Sequence, residues 1–424
     1  MKRRHFLASG AFAAAYGLAG FGRCAHAAAR ARVLIVGAGF AGSACALRLR
    51  ELNPALEVSL IDAHERYVTC PMSNEVIGGL RDIASISVTR GDLRRAGVNV
   101  IIGRVASIDA PRRAVRLDGG RQIAFDRLIV APGIRLLWDK PQGYDAHAAL
   151  KMPHAWQAGE QTLILARQLR SMDDGGVVAI SVPSGLMRCP PAPYERASLM
   201  AHYLRSNKPR SKILIFDANN RFPKQDVFAA AWARLYPGMI EWIASTEGGC
   251  VVRVEPKTMT LVTAGGAHRV AVANVIPPQA PGRLAPQAGL ASDHGWCPIE
   301  PLTFESTLVR NVHVIGDACI AGAMPKTASA ACSQARQCAR AIVEMLAGRE
   351  PSKAAYVSVC YSMLAPAAAL AIPARFHESD GHILRDGPPA PAAGSARPGY
   401  GPDQAAEAAR WYRDIRTEAF GSHA

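Results

Sequence analysis

The chain has 424 residues, too many for a single hydrophobic core, so two or three domains are expected. Apolar residues make up 49% and charged residues 20%, the balance of a globular protein rather than a disordered or fibrous one. The formal charge of +15 comes from basic residues scattered without a run of five, which argues against nucleic acid and suits a small anion or an acidic protein partner.

The first element is an address. Residues 1–27 carry Lys2, Arg3, Arg4 and Arg23 with no acid, then a weakly apolar Ala/Gly-rich stretch, then Ala25-His26-Ala27, a small-x-small cleavage site. Arg3-Arg4 followed by Phe6-Leu7 resembles a twin-arginine export signal, so the expected location is the periplasm, where disulfides persist. No later run of 18 apolar residues occurs, so no integral membrane span is expected.

A dinucleotide fingerprint opens the next segment. Residues 32–36 read as a buried strand, Gly37-Ala38-Gly39-Phe40-Ala41-Gly42 follows, Ser43 to Leu52 read as a helix, and a strand from Glu57 to Ile61 ends at Asp62. In such a unit Gly37 permits the tight turn, Gly39 the approach of a pyrophosphate and Gly42 close helix packing. The helix N-terminus faces the phosphates, and Asp62 accepts from ribose hydroxyls. Two later segments favour FAD over NAD. Residues 126–133 form a strand running into Gly133, and residues 311–318 form a strand ending at Gly316-Asp317. Both resemble motifs of disulfide-reductase-like flavoproteins with two dinucleotide domains, where the Asp of the second motif holds the ribityl chain. Met324-Pro325-Lys326-Thr327 then introduces a helix from Ala328 to Leu346, whose N-terminus is placed to face a flavin. Lys326 and Thr327 are therefore cofactor-binding candidates.

Between these segments the pattern repeats without its glycines. The strand Val177–Val182 runs into Pro183-Ser184-Gly185-Leu186-Met187-Arg188-Cys189-Pro190-Pro191, and a second strand from Lys212 ends in Asp217. Proline lacks an N–H and stiffens the loop, so a second Rossmann-like unit without an NAD(P)H site is expected. The ten cysteines contain no CxxC or CxxCH, so neither a zinc ribbon nor a c-type haem on this chain is indicated, and no metal site is expected. Cys70, Cys189 and Cys360 stand out by their surroundings. Read from the residues alone, Cys70 is a small buried residue, Cys189 and Cys360 form a structural bridge or a redox pair, and Glu195 is a helix residue just past the prolines.

Thr69-Cys70 through Ser73-Asn74-Glu75-Val76-Ile77-Gly78-Gly79 resembles the flavin-attachment segment of flavocytochrome c sulfide dehydrogenases. Cys189-Pro190-Pro191-Ala192-Pro193-Tyr194-Glu195-Arg196-Ala197 resembles the segment with their first active-site cysteine, and Cys360-Tyr361-Ser362 the segment with the second. Trp411-Tyr412 to Ala419-Phe420-Gly421 resembles the family's C-terminus. The resemblance implies that Cys70 bonds the 8α carbon of FAD, that Cys189 and Cys360 form a redox-active disulfide beside the flavin, and that Glu195 manages protons there. One departure is visible: Pro71-Met72 stand where the family usually has Tyr-Leu.

The implied activity is oxidation of hydrosulfide to sulfane sulfur or polysulfide, with electrons passed through FAD to a c-type cytochrome subunit carrying the haem. Two other readings stand beside it. One is a sulfide:quinone-oxidoreductase-like enzyme; residues 404–415, the best candidate for a membrane-facing helix, carry both charge signs. The other is a flavin-bearing electron-transfer subunit without sulfide activity. The implied architecture is α/β with two Rossmann-like dinucleotide-binding domains: a signal peptide at 1–27, an FAD domain split over 28–148 and 278–350, a second Rossmann-like domain at 149–277, and a smaller C-terminal interface domain at 351–424. The proline-rich stretch 388–402 reads as loop, and Cys45, Cys250, Cys297, Cys319, Cys332 and Cys338 read as structural or buried.

Overall fold

The computed structural model describes residues 30–353, 355–387 and 400–423. The export signal therefore lies outside the described residues.

Two parallel sheets dominate, and each is built from near-continuous apolar strands because both faces are covered. The first has five strands in the spatial order Val312–Val314, Arg127–Val130, Arg32–Val36, Glu57–Asp62 and Asn99–Ile102. All its neighbours run parallel, and Val33 to Val36 pair with Arg127 to Val130 on one side and with Val58 to Ile61 on the other. Its residues come from both sides of the central segment. The second sheet has four parallel strands: Ile240–Ile243, Lys212–Asp217, Val177–Val182 and Val272–Val275. Each half also carries a three-stranded antiparallel meander, Val105–Ala124 in the first and Val251–Arg269 in the second. The same plan thus occurs twice.

The first helix spans Phe40–Leu52, three residues earlier than the sequence reading, because Phe40-Ala41-Gly42 of the glycine motif is already helical. It packs on Ala328–Leu346, and both helices bury small residues, Ala41 and Ala44 on the first and Ala330, Ala331, Ala335 and Ala339 on the second, which allows close approach. Thr327 caps the second of these helices by accepting a hydrogen bond from the Ala330 N–H at 3.2 Å.

The C-terminal region is a sheet and a helix. Ala355–Ala365 pairs with Ala368–Ser379, which pairs in turn with His382–Arg385. Tyr400-Gly401 adds a short strand against Ala369-Leu370, and Pro402 starts a helix to Phe420, so the end of the proline-rich stretch is not loop. Residues 388–399 lie outside the described residues. The helix turns Ala408, Tyr412, Ile415, Ala419 and Phe420 inward. The Phe420 ring lies 5.0 Å from Phe40 and 5.6 Å from Tyr67, and the Tyr412 hydroxyl shares a 2.8 Å hydrogen bond with Thr69. The apolar stripe of this helix is therefore buried on the helix Phe40–Leu52 and the strand Ala368–Ser379, with Tyr412 and Phe420 reaching Thr69 and Tyr67. No described helix is long and apolar enough to cross a membrane.

Candidate active site

At the nucleotide end, the glycine motif is explained atom by atom. Gly37 has φ +98°, and a Cβ there would lie 2.2 Å from the Ala131 carbonyl oxygen. At Gly42 a Cβ would lie 1.8 Å from the Gly37 carbonyl oxygen. Beside Gly39, by contrast, the nearest atom is the Tyr67 hydroxyl at 3.8 Å, and no side chain caps the helix that begins there. Free N–H groups with open space beside them suit phosphate oxygens. Asp62 accepts the Ala38 N–H at 2.7 Å and the His64 N–H at 2.9 Å.

Arg90, which no sequence motif marks, stands against this loop. Its Nη1 donates to the Ala38 carbonyl at 2.7 Å, and its Nη2 lies 3.7 Å from Asp62 Oδ2. Its Nε and Nη2 are fully buried without a hydrogen-bond partner, a costly arrangement unless a ligand receives them. Those donors and the uncapped helix fit the pyrophosphate of a dinucleotide. In a Cys70→Ala background, where any flavin is held non-covalently, Arg90→Met is expected to raise the Kd for FAD on the order of 10- to 100-fold, the loss of one charge-assisted bond, read by flavin fluorescence on reconstitution.

At the other end, Cys70, Arg188 and Asp317 converge. The Cys70 sulfur lies 3.8 Å from the Trp156 carbonyl oxygen. The Arg188 guanidinium donates to that same carbonyl through Nη2, while its Nη1 lies 4.0 Å from Asp317 Oδ2. Burial opposes its charge, but Cys70, Asp317, Tyr67 and Cys189 around it raise its pKa. Trp156 Nε1 and Gln279 Nε2 nearby are buried without partners, and a Cβ at Gly133 would meet nothing within 4 Å. Gly316 donates its N–H to Gln334 Oε1 at 2.7 Å. Lys326 serves the loop rather than the groove: its ammonium donates to the carbonyls of Asp317 and Cys319, both at 2.8 Å, and sits over the Trp296 ring at 3.9 Å. The Pro71-Met72 departure is absorbed in a turn. Met72 adopts φ 67° and leads into the short helix Ser73–Ile77, with the Cys70 carbonyl accepting from Ser73 N and Oγ.

Cys189 and Cys360 lie at this end too. Cys189 follows Arg188 directly, holds the left-handed φ of 48°, and donates its N–H to the Lys326 carbonyl at 2.9 Å. Cys360 sits on Ala355–Ala365, opposite Ile372, near the Thr327 and Ser358 hydroxyls, which share a 3.2 Å hydrogen bond with each other and favour its thiolate. Thr327 thus touches the second thiol as well as capping its helix. Both cysteines are free thiols in this structure, so the bridge implied by the family resemblance is not formed here; Cys360 is nonetheless close enough to bear on the ionisation of Cys189. Burial pushes both thiols up; the two hydroxyls oppose that at Cys360, and Arg188 opposes it at Cys189.

Glu195 lies in the first turn of the helix Ala192–Asn207. Its Oε2 accepts from Asn74 Nδ2 at 3.2 Å and its Oε1 from the Met363 N–H at 3.3 Å. Burial raises its pKa to about 7, against those two hydrogen bonds. Behind it the buried Arg196 bonds Asn74, Asn274 and the carbonyls of His154 and Ala155, tying the Trp156 loop to the Glu195 helix. Of the other cysteines, Cys45, Cys297, Cys319, Cys332 and Cys338 are buried and Cys250 is half-buried.

The second Rossmann-like unit closes its own nucleotide site. Asp217, the counterpart of Asp62, is fully buried and receives the Tyr194 hydroxyl at 2.5 Å, Trp242 Nε1 at 2.9 Å, and Asn219 N and Nδ2 at 2.9 and 2.8 Å. The Tyr194 ring stacks on Phe222 at 3.7 Å. The acceptor a ribose needs is already satisfied internally.

The fold and the groove together define a class: an FAD-dependent flavoprotein of the pyridine nucleotide-disulphide oxidoreductase fold. Comparison with known proteins agrees. Residues 31–151 match the family profile pyridine nucleotide-disulphide oxidoreductase, and residues 162–277 match sulfide dehydrogenase (flavocytochrome c) flavoprotein chain, central. The mitochondrial sulfide:quinone oxidoreductase of Mus musculus is 23% identical over 343 residues, 78% of this chain and 75% of that one. The sulfide dehydrogenase (flavocytochrome c) flavoprotein chain of Chlorobaculum thiosulfatiphilum is 47% identical over 45 residues, 11% of this chain and 94% of that sequence. The solved sulfide:quinone oxidoreductase of Aquifex aeolicus superposes with a TM-score of 0.72 at 18% identity, covering 92% of each chain. The chain belongs to the sulfide-oxidising flavoproteins, the family in which the flavocytochrome c and quinone-linked enzymes lie.

Proposed function

We propose that this protein is the exported flavoprotein subunit of a flavocytochrome c-type sulfide dehydrogenase: it oxidises hydrosulfide at the Cys189–Cys360 pair and passes the electrons through FAD, bonded to Cys70, to a c-type cytochrome subunit. The observation that carries this reading is the meeting of Cys189, Cys360 and Glu195 beside the groove bounded by Cys70 and Asp317. The periplasmic location rests on the Arg3-Arg4 signal.

The surroundings of the two thiols set the order of events. With the pair oxidised, hydrosulfide attacks one sulfur and the other departs as thiolate. Cys360 is the better leaving group, since the Thr327 and Ser358 hydroxyls stabilise its anion. The new S–S bond therefore forms at Cys189, giving a persulfide there and a thiolate at Cys360. Bound FAD supplies the two-electron acceptor. Glu195, protonated below about pH 7, returns a proton to the pair as it turns over.

The sign of the pH dependence follows. Glu195 is neutral and able to donate below its raised pKa, and ionised above it. Expressed per hydrosulfide ion, the rate of flavin reduction is expected to fall as pH rises through about 7. In Glu195→Gln that limb disappears and the rate drops on the order of 100-fold at pH 6, measured by anaerobic stopped flow.

A quinone acceptor is the second reading, favoured by the similarity to the mouse enzyme over 78% of this chain. The C-terminal helix weighs against it, because its apolar face is turned inward onto Phe40 and Tyr67. Parallel assays with a c-type cytochrome and a soluble quinone decide between them; faster turnover with quinone would reject the cytochrome reading.

A further inference from the structure

Asn74 is the side chain that bonds the Glu195 carboxylate, and it comes from the far side of the site. It stands on the helix Ser73–Ile77, shortly beyond Cys70, and is buried. An amide can turn either its oxygen or its NH2 toward a neighbour. Here the choice is forced. Arg196 Nε can only donate, and it lies 2.9 Å from Asn74 Oδ1. Asn74 Nδ2 is thereby aimed at Glu195 Oε2 and the Ala192 carbonyl, both acceptors at 3.2 Å.

Arg196 is itself fixed. It is buried, and its other N–H groups reach Asn274 Oδ1 at 2.8 Å and the carbonyls of His154 and Ala155 at 3.1 and 2.7 Å. Asn274 is oriented in turn, since its Nδ2 donates to the carbonyls of Pro153 and His154 at 2.7 and 2.8 Å. The Arg196 guanidinium also lies 5.3 Å from the centre of the Trp156 ring. Turning the Asn74 amide over would set N–H against guanidinium and oxygen against carboxylate, two repulsive contacts in a buried place.

We propose that Asn74, locked by Arg196, is a positioning residue: it aims its amide N–H at Glu195 and stabilises the carboxylate left when Glu195 gives its proton to a thiolate of the cysteine pair. The inference rests on the sulfide-oxidising reading above. The other groups facing Glu195 are the Met363 N–H, Glu75 on the helix of Asn74, Arg196 on its own helix, Cys189 and Cys360. Glu75 and any thiolate favour the protonated acid, Arg196 and the two N–H donors favour the ionised one, and Arg81 offsets Glu75 through a 2.7 Å ion pair. Burial holds the acid up near pH 7 against the Met363 and Asn74 hydrogen bonds. Removing the Asn74 donor therefore moves the titration of Glu195 to higher pH.

The test uses holoprotein with Asn74→Asp and Asn74→Ala. The aspartate keeps the size and can still accept from Arg196, but it sets an acceptor against Glu195. Two readouts are taken: flavin bleaching by sulfide, per hydrosulfide ion, at pH 6 and pH 8, and infrared titration of the carboxyl band that is lost in Glu195→Gln. Both variants are expected to move the midpoint up by about one pH unit, Asn74→Asp the further of the two. The ratio of the pH 8 rate to the pH 6 rate then rises roughly fivefold. Because each protein is compared with itself, a loss of packing alone leaves this ratio unchanged. A slower rate at both pH values with an unchanged ratio and midpoint would make Asn74 merely structural and overturn the proposal. If sulfide does not bleach the wild type, the sulfide reading falls, and the infrared midpoint decides the role of Asn74 by itself: moved, it stands; unmoved, it is overturned.

Discussion

Cys360→Ser is expected to slow sulfide-driven reduction of the flavin by at least about 10³-fold while dithionite still reduces it fully. Serine keeps the size and polarity beside the Thr327 and Ser358 hydroxyls, so the strand Ala355–Ala365 and its pairing with Ile372 survive. What is lost is the leaving sulfur: hydrosulfide finds a lone thiol at Cys189 instead of a bridge to open. Cys189→Ser is expected to show the same loss, and the double variant no further loss, because the two sulfurs act as one unit. Anaerobic stopped flow at the flavin absorbance reads all three. A Cys360→Ser protein that sulfide still bleaches at the wild-type rate would remove the pair from the mechanism.

Cys70→Ala carries the second large effect. In the wild type the flavin is expected to stay with the protein after acid denaturation and to appear by mass spectrometry on the peptide containing Cys70. In the variant all of it is released. The segment is well placed for such a bond. The Cys70 carbonyl is held by Ser73, Thr69 is held by Tyr412 of the C-terminal helix, and the sulfur lies on the wall shared with Trp156 and Arg188. Release of flavin from the wild type would show that Cys70 only lines the groove.

Much of this was legible in the chain because it is local. The glycines at 37, 39 and 42, the strand ending at Asp62 and the helix Ala328–Leu346 each announce themselves within about twenty residues. The missing second fingerprint was equally local, and Asp217 with its four donors supplies the reason in space. What stayed hidden depends on long-range packing. Arg90 reaches the Ala38 loop from 52 residues away, and nothing around it in the sequence sets it apart from other arginines. Arg188 stood beside a chosen cysteine, yet its link to Asp317 crosses from one Rossmann-like unit to the other. The C-terminal helix showed mixed charge at 404–415, but the partner of its apolar face is Phe40, at the far end of the chain. Lys326 illustrates the converse: motif position marked it for the cofactor, and its ammonium instead braces the loop that carries Asp317.

The central claim is that sulfide electrons enter through the cysteine pair and leave through FAD to a c-type cytochrome. The direct measurement is an anaerobic titration of the purified oxidised protein with sulfide, followed by addition of a c-type cytochrome. The account predicts that sulfide bleaches the flavin, and that each reduced flavin then reduces two cytochrome haems and regains its colour. A flavin that sulfide leaves oxidised, or one that is bleached but returns its electrons only to quinone, would contradict it.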